Sequence, residues 1–126
     1  MTHALLVGLG GFVGSLLRYW LSGAVQRWAQ DSFPAGTLVV NLLGCFTIGA
    51  VMSLVEYREV FSPEWRIFLT IGLLGGFTTY STFGYETFAL LRDNQVTTAL
   101  YSVMAHVLLG TAAVAAGWMV AKSIGS

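Results

Sequence analysis

Gly75-Gly76-Phe77-Thr78-Thr79-Tyr80-Ser81-Thr82-Phe83-Gly84-Tyr85-Glu86 lies in the middle of a long apolar segment. A helix crossing a bilayer would be uniformly apolar there. This stretch instead opens on two glycines, the poorest helix formers after proline. Four hydroxyl residues follow, Thr78, Thr79, Ser81 and Thr82. Tyr80 and Phe83 stand three apart and project from one helical face, with Glu86 three further on, roughly on the same side. Helix-breaking residues at membrane depth are tolerated only where the freed backbone groups are buried in protein or line a cavity. A carboxylate at that depth is a functional candidate by default. The stretch reads as a broken helix forming part of an ion path.

Working outward, the chain of 126 residues is 56% hydrophobic and 10% charged, against roughly 25% charged for soluble domains. That favours a membrane protein. Six basic and six acidic residues leave no net charge, too little basicity to track a phosphate backbone. Four segments reach the length of about 20 residues that a bilayer demands: Ala4 to Ala24, Thr37 to Tyr57, Trp65 to Leu91 and Val96 to Val120. Short connections carry nearly all the charge. Ser62-Pro63 reads as an N-cap followed by proline at the first helical position, and Pro34-Ala35-Gly36-Thr37 as a stop after which Thr37 caps the next helix. The expected architecture is an all-α membrane protein, residues 1–126 forming one four-helix transmembrane channel domain with a broken third helix. The opening apolar run lacks a basic flank and a small-residue cleavage site, so it is not read as a cleaved signal peptide.

Most of the 15 glycines fall inside the spans. Gly10 to Gly14, Gly44 with Gly49, Gly72 with Gly76, and Gly110 with Gly117 let helices approach closely. The run Gly8-Leu9-Gly10-Gly11-Phe12-Val13-Gly14 imitates a dinucleotide fingerprint, but its spacing is wrong and no acid stands about 20 residues on. Cys45 reads as an inert packed residue. His3 and His106 are too few and too far apart for a metal-ligand pattern. No nucleophile–base pair or close carboxylate pair stands out, which argues against an enzyme.

Orientation is weakly specified. Arg58, Arg66 and Lys122 lie towards one side, Arg27 and Arg92 towards the other, and Arg18 within the first span. Such a bias hardly sets a direction under the positive-inside rule. A chain able to insert both ways can assemble as an antiparallel homodimer with its two-fold axis in the membrane plane, a symmetry that inverted repeats supply elsewhere. Four short helices also leave little interior for a private pore.

Several polar positions suit an anion. Arg18 places a fixed positive charge near a vestibule, or snorkels to the interface. Asn41, among leucines and valines, offers amide N–H donors. An aromatic edge is electropositive, so Tyr80 and Phe83 edge-on can solvate a small anion without holding it tightly. A helix break turns backbone N–H groups of its second half towards an anion and carbonyls ending its first half towards a cation. Thr79, Ser81 and Thr82 add hydroxyl donors.

With these blocks assembled, the chain resembles the Fluc (CrcB) family of fluoride channels over essentially its whole length. The matching blocks are Gly10-Gly11-x-x-Gly14-x-x-x-Arg18-Tyr19, Gly36-Thr37-Leu38-Val39-Val40-Asn41-x-x-Gly44, and Gly75 through Phe83 with Glu86. The resemblance implies an antiparallel, dual-topology homodimer with two pores that passively export fluoride across the cytoplasmic (inner) membrane. It also implies a structural Na⁺ at the dimer centre, held by backbone carbonyls that fall by position on Gly75 and Thr78. Asn41 matches the family's pore asparagine, Tyr80 and Phe83 its paired pore phenylalanines, and Ser81, Thr82 and Glu86 its polar path residues. Tyr80 departs from the pattern, since its phenol can donate a hydrogen bond where a plain ring edge is the rule. His106 also departs, standing where small polar residues are common. Facing the pore, it would make conduction pH-sensitive.

Two other classes compete. A small four-helix multidrug exporter shares this length and hydropathy but needs an acid in its first span, where this chain carries Arg18. A non-transporting structural subunit has no need of Asn41 or of a broken third helix.

Overall fold

The computed structural model describes residues 1–124; Gly125 and Ser126, the tail of the expected 1–126 domain, lie outside the described residues. Among the described residues there are four helices long and apolar enough to cross a membrane: Thr2–Ala29, Ala35–Arg58, Pro63–Arg92 and Val96–Ile124. Each runs further than the apolar stretch alone indicates. Arg27 and Arg58 fall in the last helical turns of α1 (Thr2–Ala29) and α2 (Ala35–Arg58), where a cation favours the helix dipole. α1 and α2 end on Gln30 and Glu59, both left-handed at φ 48°.

Local capping follows the sequence at one site and departs from it at another. Ser62 accepts from the N–H of Trp65, and Pro63 opens α3 (Pro63–Arg66). Thr37, however, does not cap α2. That helix begins at Ala35 behind Pro34, and its first turn is capped from outside. Gln26 Oε1 accepts from the N–H of Gly36 at 3.1 Å, while Gln26 Nε2 donates to the carbonyls of Asp31 and Phe33. One glutamine side chain thus satisfies a helix start and folds the connection back on α1. Thr37 is left free to bond elsewhere.

The third span is not uniform. α3 passes into a π-helical stretch at Ile67–Leu74, then α4 (Gly75–Phe77). Thr78 and Thr79 have extended backbone, at φ −88°, ψ 159° and φ −149°, ψ 122°, before α5 (Tyr80–Arg92) begins. The fourth span likewise passes from α6 (Val96–Met104) through π-helical Ala105–Leu109 into α7 (Gly110–Ile124). Wide turns of this kind favour functional sites. Both flank the cavity described below.

Packing is built on glycine. The first span lies against the third where Gly10, Gly11 and Gly14 meet the backbone of Phe68, Gly72, Leu73 and Gly76. The second and fourth spans pack in the same way, with Gly49 against Val114 and Gly117 against Phe46 and Ala50. The apolar core is correspondingly thin, consisting of Val40, Val51, Leu74, Phe77, Leu90, Ala99 and Ala121. With no hydrophobic force between helices in lipid, close backbone contact supplies the association. The supposed dinucleotide glycines are therefore a helix-packing ridge.

Candidate functional site

The two extended residues are held by the second helix. Thr79 donates its N–H to Asn41 Oδ1 at 2.9 Å, and Asn41 Nδ2 donates to the Thr79 carbonyl at 3.1 Å. Both polar atoms of the asparagine amide are thus engaged with the backbone of one residue, leaving one N–H of Nδ2 for another acceptor. Thr79 in turn caps α5: its hydroxyl accepts from the N–H of Thr82 at 3.3 Å and donates to the Thr82 hydroxyl at 3.0 Å. Thr78 turns its hydroxyl back to the Leu74 carbonyl at 2.9 Å, and its methyl group seats against Gly44, where a larger residue would strike it. Tyr80 and Ser81 begin the next helix, where N–H groups have no partner within their own helix.

The same bonds test the expected cation site. In an unbroken helix the Gly75 carbonyl would receive the N–H of Thr79, and the Thr78 carbonyl that of Thr82. Here Thr79 N–H goes to Asn41 and Thr82 N–H to the Thr79 hydroxyl. Both carbonyls therefore lose their usual donors, while the described residues contain no cluster of three His, Cys, Asp or Glu side chains. Hard, neutral oxygen donors of this kind suit a hard cation rather than a transition metal. The residues fit Na⁺.

Beside the interruption lies a cavity of about 450 Å³. Its wall combines Asn41, Gly44 and Cys45 with Gly75, Thr78, Thr79, Tyr80 and Phe83, and His106 with Gly110. Thr70 also reaches it. Three rings form a ladder along one side: Tyr80 and Phe83 have centroids 5.8 Å apart, Phe83 and His106 only 4.2 Å apart at an interplanar angle of 37°. The second contact is nearer to stacked than to perpendicular, so it occupies a face of Phe83 and leaves ring edges available. His106 Nδ1 lies 2.9 Å from the Ser102 carbonyl.

Five of the expected path residues, Asn41, Thr79, Tyr80, Phe83 and His106, meet at this cavity, as do Gly75 and Thr78. Ser81 and Thr82 are exposed and outside its wall. Tyr80 is 83% exposed. Glu86 also lies outside, half-buried, with Oε1 accepting from the Thr37 hydroxyl at 2.8 Å and Oε2 buried without a partner. Arg18 is half-buried and makes no hydrogen bond or ion pair among the described residues. Sequence reasoning missed Thr37 as the partner of Glu86, because the two lie 49 positions apart. Ser102, one turn before His106, meets it through its backbone carbonyl, not its hydroxyl.

These features define a class: an all-helical, multi-pass membrane protein with a largely apolar cavity, set with a few polar groups, where two helices and a chain interruption meet. The chain belongs to the CrcB family, described as CrcB-like protein, Camphor Resistance (CrcB), whose pattern matches residues 5–118. Among its relatives, the fluoride-specific ion channel FluC 1 of Methanosarcina acetivorans is 52% identical over 120 residues, covering 93% of this chain and 88% of that protein. The fluoride-specific ion channel FluC 3 of Methanosarcina barkeri is 48% identical over 129 residues, 100% of this chain and 95% of that protein. The fluoride-specific ion channel FluC of Geobacter sulfurreducens is 45% identical over 124 residues, 98% of this chain and all of that protein.

Proposed function

We propose that this chain is a fluoride-selective channel, not an enzyme, which lets fluoride leave the cell down its gradient and so lowers its toxicity. The observation that carries the reading is identity of 45–52% to fluoride-specific channels along nearly the whole chain. The cavity supplies chemistry to match. A small anion gives up its water only where other weak donors replace it, and conducts only if none holds it long. One Asn41 N–H, the first-turn N–H groups of Tyr80 and Ser81, and the edges of Tyr80 and Phe83 are such donors, with the Ser81 and Thr82 hydroxyls as further donors outside the cavity wall. Arg18 adds a fixed charge that draws anions towards the span. Glu86 and Thr37 order the stretch beyond Phe83.

The working unit is an antiparallel homodimer in the cytoplasmic (inner) membrane. In support, at most 22% of any span's most apolar window is buried within one chain, and large residues such as Phe12, Tyr19, Trp20 and Tyr80 are exposed. A Na⁺ at the dimer centre, on the Gly75 and Thr78 carbonyls, would supply positive charge beside the interruption. The chain's own contribution is Asn41, which diverts the Thr79 N–H and so leaves the Gly75 carbonyl open.

The test is a fluoride-electrode recording from proteoliposomes, with chloride release as control. Fluoride efflux far faster than chloride efflux is expected. Trapped fluoride that stays in place, or chloride that leaves equally fast, overturns the reading.

A further inference from the structure

Half-buried His106 is held in a way that fixes its tautomer. Its Nδ1 lies 2.9 Å from the backbone carbonyl of Ser102. A carbonyl oxygen can only accept, so Nδ1 carries the hydrogen. In the neutral ring the other nitrogen, Nε2, is then a bare lone pair. Nε2 is buried and has no hydrogen-bond partner among the described residues, although His106 itself helps to wall the cavity. One face of the ring rests on Phe83 at 4.2 Å.

We propose that His106 is a proton-dependent anion contact: neutral, it presents a lone pair that repels a halide; protonated, it presents an N–H and a positive charge that bind one. The inference rests on the channel reading above and names the regulation of that site. Phe83 assists, because a ring face stabilises a cation stacked on it. Among the described residues no group accepts a proton from Nε2, so the imidazolium would be satisfied only by an anion brought against the ring from the cavity. The surrounding groups do not compete. From α2 the titratable neighbour is the Cys45 thiol, and from α5 the Tyr80 phenol; among the described residues no carboxylate, guanidinium or ammonium lines the cavity. Glu86, one turn beyond Phe83, has Oε1 engaged by Thr37 and Oε2 buried without a partner, and it stands outside the cavity wall. From α7 the cavity receives only Gly110.

Two readouts on the full-length protein decide the point. In vesicles, with passive leak through protein-free lipid subtracted, fluoride flux is expected to rise several-fold between about pH 8 and about pH 5.5. In His106→Gln, whose amide donates at every pH, flux should be flat over that range. Equal flux in the wild type at both ends overturns the proposal and leaves the channel assignment standing. Independently, nitrogen-15 spectra of the imidazole in detergent should show the Nδ1–H tautomer at high pH. Sodium fluoride should extend the protonated form to higher pH, as linkage requires of an anion that binds the imidazolium, and sodium chloride should do so far less. An Nε2–H tautomer, or a titration that fluoride leaves in place, overturns it even if the variant does not fold. If fluoride moves the titration while the vesicles pass no fluoride, the contact stands and the channel reading falls.

Discussion

Asn41 carries more structure than its single amide implies. Its carbonyl takes the Thr79 N–H and its amide nitrogen gives to the Thr79 carbonyl, so two backbone groups in the interruption depend on it. Asn41→Asp keeps the acceptor, loses the donor, and sets a carboxylate beside a carbonyl and an anion path. Fluoride flux should fall on the order of tenfold or more, the equivalent of about 1.4 kcal/mol, while protomers still pair by cross-linking; undiminished flux would remove Asn41 from the path. Phe83 sits between Tyr80 and His106 in the ring ladder. Phe83→Ile abolishes both ring contacts and the electropositive edge, and a similar loss of flux with assembly intact is expected on the same electrode. Thr37→Val removes the donor to Glu86 Oε1 and leaves a half-buried carboxylate with no hydrogen-bond donor. That costs about 1–3 kcal/mol and should lower the unfolding midpoint in detergent; Thr37→Ser should restore it.

At the scale of elements, glycine decides how the spans fit, and glycines pressed against backbone differ from those in open space. A Cβ at Gly117 would collide with the Phe46 carbonyl and crowd the Ala50 nitrogen, and one at Gly14 would meet the Leu73 carbonyl. Backbone cannot step aside without moving a helix. Gly8 and Gly84 meet nothing within 4 Å. Gly117→Ala and Gly14→Ala should therefore shift the thermal midpoint down by several degrees or prevent assembly. Gly84→Ala should hold or raise it, by the ~1 kcal/mol that separates the two residues in a helix. Size-exclusion profiles and thermal unfolding of all three in one detergent check the contrast. Much of this was legible beforehand, because Gly10, Gly14, Gly72, Gly76 and Gly117 recur inside apolar runs; Gly110, read with them, meets only the Cys45 sulfur at 3.7 Å and instead lines the cavity. The four spans were legible too, from apolar length and the Ser62-Pro63 cap. The start of α2 was misjudged because its cap is Gln26, a residue ten positions earlier in the preceding helix. The π-helical turns at Ile67–Leu74 and Ala105–Leu109 left no mark, since they change which carbonyl an N–H reaches without changing what kind of residue is needed. The pairings of Glu86 with Thr37 and of His106 with Phe83 were equally silent, being set by how distant spans cross.

For the whole molecule the decisive quantity is the small charge difference between its two sides. Arg58, Arg66 and Lys122 face Arg27 and Arg92, and short connections are where such charges act on insertion. A difference of one basic residue leaves the two orientations nearly equal in free energy, and a homodimer that is antiparallel needs both. Tilting the balance should therefore separate insertion from conduction. Adding two pairs of lysines to the connection after Gln30 loads one side, six basic residues against three, and adding one pair at the carboxyl end loads the other, five against two. Each variant alone should insert one way, read by a cysteine placed at Asn94 in a Cys45→Ala background and labelled with a membrane-impermeant thiol reagent from outside. Each alone should pass little fluoride, because parallel copies cannot bring their third spans together head to tail. Produced together, the two should recover most of the wild-type flux, as none of the added lysines touches the cavity. The unmodified chain should label at Asn94 to about half from either face, as nearly equal insertion free energies require. Full flux from either locked variant by itself would show that one orientation suffices, and the antiparallel pair would have to be abandoned.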